Sequence, residues 1–128
     1  MGVELTMLTY AVILAFVQIM IPATLKIQQY GMASGVGNRD EPRPLSGWGA
    51  RAERASANML ETFALFAALV LVAHAAGVSN PTTVMGAQLY FLARLAYAVV
   101  YILGIPWVRT LVWGVAVAGM AMIAYALC

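Results

Sequence analysis

The stretch RAERASANMLETF, residues 51–63, carries Arg51, Arg54, Asn58 and Glu61 straight into one of the most apolar segments of the chain. On a helix, at roughly 100° per residue, their intervals of three, four and three place the four side chains within an arc of about 80°. Glu53 points elsewhere. A face this polar is costly against lipid. It must meet other protein, water or a polar ligand.

The surrounding composition makes the membrane the right solvent to consider. Of 128 residues, 63% are hydrophobic and 9% charged, and the mean hydropathy is +0.86. A water-soluble domain of this size has too little interior for that much apolar surface. The length fits one domain, 1–128. A net charge of +2 without a basic patch interleaved with aromatics gives no support to nucleic-acid binding. The single cysteine, Cys128, excludes an intramolecular disulfide, and no metal-ligand spacing of Cys and His occurs. The N-terminal run has Glu4 where a signal peptide has Lys or Arg, and its apolar stretch is long, so a retained helix is expected.

A hydrocarbon core takes roughly 20 apolar residues of helix, and four segments meet that length. Helices are predicted at about 4–28, 50–76, 83–103 and 106–127. GVSNP (77–81) and GIP (104–106) are short breaks between antiparallel neighbours. The one long connection, about 29–49, is rich in Gly, Pro and charge. Lys26, Arg39, Arg43, Arg51 and Arg54 lie in or beside it, and Arg109 opens the fourth helix on the same side. The positive-inside rule then sets that loop in the cytoplasm and both termini outside.

A second stripe runs along the third helix. Tyr90, Arg94, Tyr97 and Tyr101 are spaced four, three and four, within an arc of about 60°. Spacing alone leaves two readings open. Glu61 and Arg94 pair as structural glue inside the bundle, a role buried ion pairs do fill. Alternatively, the surplus of cations over the single anion serves an anionic ligand. Arg109 is equally an interfacial anchor by position. His74, the tryptophans and the methionines read as packing or interface residues, and Cys128 lies far from the arginines.

These segments resemble the MAPEG family, the membrane-associated proteins in eicosanoid and glutathione metabolism. RAERASANMLETF is similar to the family signature at Arg54, Ala55, Asn58 and Glu61. ARLAYAVVYILGIPWVRT (93–110) resembles its second motif region, and GNRDEPRPLSGW (37–48) the loop of small bacterial members. Two features depart from the pattern. The interval from Tyr101 to Arg109 differs by about a residue from the eukaryotic enzymes, and Thr62 follows Glu61 where some relatives have Tyr.

The resemblance implies an all-α integral membrane four-helix bundle that assembles as a homotrimer, in a bacterial inner membrane. It implies glutathione as co-substrate, without metal, bound between protomers near the cytosolic side. Arg51, Arg54, Asn58, Glu61, Arg94, Tyr97 and Tyr101 are then the binding residues, and Lys26 stands where relatives have a basic residue. Arg109 is the catalytic residue that activates the thiol. The implied function is transfer of the thiolate to lipophilic electrophiles or reduction of lipid hydroperoxides. The alternatives are a non-catalytic protein of the same fold that binds glutathione or another anion, a membrane scaffold, and a small four-helix transporter. The partners implied are glutathione, a lipophilic small molecule, the bilayer and further copies of the chain.

Overall fold

The computed structural model describes residues 2–31 and 44–128. Four long helices account for nearly all of these: α1 (Val3–Tyr30), α2 (Gly47–Ala76), α3 (Pro81–Leu103) and α4 (Pro106–Leu127). Each is long and apolar enough to cross a bilayer. The most apolar stretch of α3 is less apolar than that of the other three. That is the helix that carries Arg94. The protein is an all-helical, multi-pass membrane bundle. Arg39 and Arg43, used above for orientation, lie outside the described residues.

The helix ends differ from the expected ones by up to three residues, for identifiable reasons. Asn80 caps α3: its Oδ1 accepts from the Thr83 backbone N–H at 3.0 Å, and Thr83 Oγ1 accepts from the Asn80 N–H at 2.9 Å. This reciprocal cap satisfies two otherwise orphaned donors. Pro81 therefore opens the helix, where its missing N–H and fixed φ suit the first position, rather than ending the preceding loop. Gly77 and Gly104 end α2 and α3 at φ 70° and 80°, a left-handed conformation that glycine adopts without a Cβ clash. At the start of α2, Gly49 packs on α1. A Cβ there would lie 3.2 Å from Leu25 Cδ1.

The interior is narrow. Met59, Phe66 and Val70 of α2 meet Ala11 and Ala15 of α1, Ala87 and Tyr90 of α3, and Ala116 and Ile123 of α4. Phe66 and Tyr90 stack with ring centroids 3.9 Å apart. Small residues bring α3 and α4 closest: a Cβ on Gly86 would meet the Gly119 carbonyl oxygen at 2.6 Å, and the reverse holds too. Close backbone approach at small residues is how membrane helices gain dispersion contacts without a hydrophobic driving force. Large apolar side chains such as Phe16, Leu65, Leu92 and Leu111 face outward, as a bilayer allows.

Alternating helix directions put the end of α1, the start of α2, the end of α3 and the start of α4 at one end of the bundle. Glu4, His74, Thr83 and Cys128 belong to the opposite end.

Candidate functional site

The polar face of α2 meets the polar face of α3 where α3 runs out of backbone partners. The last carbonyls of a helix have no intrahelical donor. Arg51 Nε donates to one of them, the Ile102 oxygen, at 2.8 Å, a cation placed where the helix dipole favours it. One turn on, Arg54 Nε donates to Tyr101 Oη at 3.3 Å, and its guanidinium lies 5.9 Å from the Tyr101 ring centre. Arg109 stands 4.7 Å from the same ring centre. Tyr101 is thus shared by two guanidiniums from different helices, in the geometry of cation–π attraction. Tyr97 packs on it, with centroids 5.4 Å apart.

Arg94 sits deeper. It is 1% exposed. Nη1 donates to Asn58 Oδ1 at 2.9 Å, Nε to the Met59 thioether at 3.3 Å, and Cζ lies 4.2 Å from the Tyr97 ring centre. Nη2 is buried without a partner among the described residues. Unpaired buried donors are uncommon in native structures, and a charged one still less expected.

Glu61 is exposed and makes no hydrogen bond or ion pair with a described residue. The ion pair found among the described residues is Lys26–Glu53, joining α1 to α2. Glu53 does point away from the stripe, toward Lys26. The structural Glu61–Arg94 pair is absent from the protomer, where Asn58 takes its place beside Arg94.

Tyr90 also leaves the stripe. Its hydroxyl lies 3.0 Å from Thr62 Oγ1 and its ring is stacked on Phe66, so it belongs to the core. Its arc on the helix matched that of Tyr97, but it lies two turns before Tyr97, on the far side of Arg94 from Arg51, Arg54 and Arg109.

Asn58, Tyr97, Arg109, Thr110 and Trp113 line a cleft of about 170 Å³. Thr110 and Trp113 were not anticipated. Trp113 is one turn beyond Arg109, an interval of four that would have placed it on the same face, but a tryptophan near a membrane edge reads first as an interfacial anchor. The cleft is smaller than the roughly 300–1,000 Å³ typical of small-molecule sites. Chemically, the assembly offers four guanidiniums held by aromatic rings, an amide and a carbonyl, beside one free carboxylate. That set suits an anion that also carries a cationic group.

Comparison with known proteins agrees with this architecture. The model of the MAPEG family matches residues 7–128, nearly the whole chain. No curated protein and no solved structure matches. The chain belongs to the MAPEG family.

Proposed function

We propose, from membership of a family that includes glutathione-dependent transferases and peroxidases, that this protein is such an enzyme. Glutathione binds between protomers of a homotrimer near the cytosolic side. Its thiolate is transferred to a lipophilic electrophile or reduces a lipid hydroperoxide. The observation that carries this reading is the charge imbalance of the cluster. Among the described residues Arg51, Arg54, Arg94 and Arg109 have no carboxylate partner, and Glu61 is the acid on their face of α2, so that this face and its neighbours carry a surplus of three positive charges.

Each residue has a role that its geometry permits. Arg54 and Arg51 have guanidinium nitrogens left over for the two carboxylates of glutathione, as charge-assisted hydrogen bonds. Glu61, exposed and unpaired, is available to the amino group. Asn58 and Tyr97 form the wall, held in place by Arg94, whose Nη2 is the nitrogen left without a partner among the described residues. Tyr101 orients Arg54 and Arg109. Bound glutathione supplies a thiol with an unperturbed pKa of about 8.5, and its thiolate is the nucleophile. A guanidinium within a few ångströms lowers a thiol pKa by about 1–3 units, which is the part Arg109 plays. Two features favour a site shared between copies: a cleft too small for the peptide, and a carboxylate on the outer face of a membrane-spanning helix.

Calorimetric titration of the purified protein in detergent tests this. Wild type is expected to bind glutathione saturably, and Arg54→Ala and Glu61→Ala to weaken it at least tenfold while remaining folded. Absence of binding to folded wild type would rule the site out as a glutathione site. Binding without turnover across an electrophile and hydroperoxide panel would leave the non-catalytic alternative.

A further inference from the structure

A second polar feature lies at the opposite end of the bundle from the arginine cluster, and the proposed enzyme does not use it. Glu4, in the first turn of α1, is a carboxylate only 8% exposed. Its Oε1 is buried with no hydrogen-bond partner among the described residues. Its Oε2 lies 3.3 Å from Thr83 Oγ1. That bond is contested, because the same hydroxyl lies 2.9 Å from the Asn80 carbonyl oxygen, and it has one proton to give. When the proton goes to the shorter bond, neither carboxylate oxygen is satisfied. The first turn of α3 offers Glu4 the positive end of a helix dipole, but among the described residues no ion pair reaches it: the one found there is Lys26–Glu53, at the other end.

Glu4 also lines a cavity. Together with Gly2, Leu5, Val70, His74 and Val78 it encloses part of a space of about 540 Å³, within the range of small-molecule sites. The remaining walls are mostly apolar. A buried carboxylate with one oxygen unpartnered among the described residues and the other on a shared hydroxyl, set in an apolar cavity, is complementary to an ammonium group on an aliphatic stem. Such a ligand supplies up to three N–H donors and the opposite charge, while its stem covers Leu5, Val70 and Val78.

We propose that this cavity is a binding site for a primary alkylammonium, with Glu4 as the counter-ion and His74 on its rim. The ammonium comes either from a free amine or from the ethanolamine headgroup of a bilayer lipid. The site is independent of the arginine cluster and stands whether or not glutathione binds.

The test uses the full chain reconstituted in phosphatidylglycerol nanodiscs and follows thermal unfolding against hexylammonium, with hexanol as the uncharged control. Two variants accompany it. Glu4→Gln removes the charge. Val78→Phe fills the cavity from a half-buried wall position and leaves the Glu4–Thr83 contact alone. Wild type is expected to show a saturable rise in melting temperature with hexylammonium and none with hexanol. The apparent affinity should fall at least tenfold in each variant. A second set of nanodiscs, containing phosphatidylethanolamine, separates the sources. If the lipid headgroup is the ligand, these discs raise the wild-type melting temperature and abolish the hexylammonium response, and Glu4→Gln loses the rise. If a free amine is the ligand, hexylammonium works equally in both discs. Should Glu4→Gln fail to fold, Val78→Phe decides. The proposal is overturned if wild type responds to neither source, or if the folded variants respond as wild type does.

Discussion

Asn58 and Arg109 are both polar, both line the same cleft, and should fail in different ways. Asn58 Oδ1 is, among the described residues, the one oxygen acceptor of a guanidinium that is 1% exposed. Asn58→Leu strands that buried donor, at a cost of roughly 1–3 kcal/mol. Thermal unfolding in detergent should show a clear drop, and Asn58→Asp, which restores an acceptor, should recover part of it. Arg109 is half-buried and held by a ring face alone. Arg109→Ala should leave the fold and glutathione affinity close to wild type. It should remove the ultraviolet thiolate band of the bound peptide at neutral pH, since a pKa shift of about 1–3 units is at stake. If the thiolate band persists in this variant, Arg109 is an interfacial anchor and not the activating group.

Between elements, the α3–α4 crossing is the tightest joint of the bundle. Gly119→Ala forces a Cβ to within 2.6 Å of the Gly86 carbonyl oxygen and 2.9 Å of the Tyr90 nitrogen. Backbone cannot give as a flexible side-chain tip can, so the helices must part, at a cost of about 1–3 kcal/mol. Gly114, five residues earlier on the same helix, has nothing within 4 Å of its Cβ position. Gly114→Ala should be neutral or slightly stabilising, because alanine is the better helix former. Unfolding of the two variants side by side checks the contrast. The same joint carries function, since α3 and α4 bring Tyr101 and Arg109 together across the Gly104–Ile105 turn.

For the whole molecule, the expected orientation has both termini outside and the arginine cluster toward the cytosol. Cys128 is the sole cysteine, and it is exposed. In intact cells a membrane-impermeant maleimide should label wild type, while a single-cysteine variant with Cys128→Ser and Ser46→Cys should label only after lysis. The reverse pattern would turn the topology over. Assembly is checked by native mass spectrometry from detergent, which should give three copies, with Glu61 shielded from a carboxylate-modifying reagent in the trimer. The sequence by itself determined the class of fold. Four runs of about 20 apolar residues leave the backbone no way to satisfy its hydrogen bonds in hydrocarbon except as helices, and Gly, Asn and Pro mark where these end. It also determined that Arg51, Arg54, Asn58 and Glu61 share a face, because helical periodicity is local. Only the tertiary structure decided what that face meets. Arg94 turns to Asn58 and not to Glu61, Tyr90 retires into the core beside Thr62 and Phe66, Trp113 joins the cleft, and Glu4 comes to rest against Thr83, 79 residues away. These are contacts between helices, fixed by how far one helix slides and turns against another, and the pattern within a single helix carries no record of that.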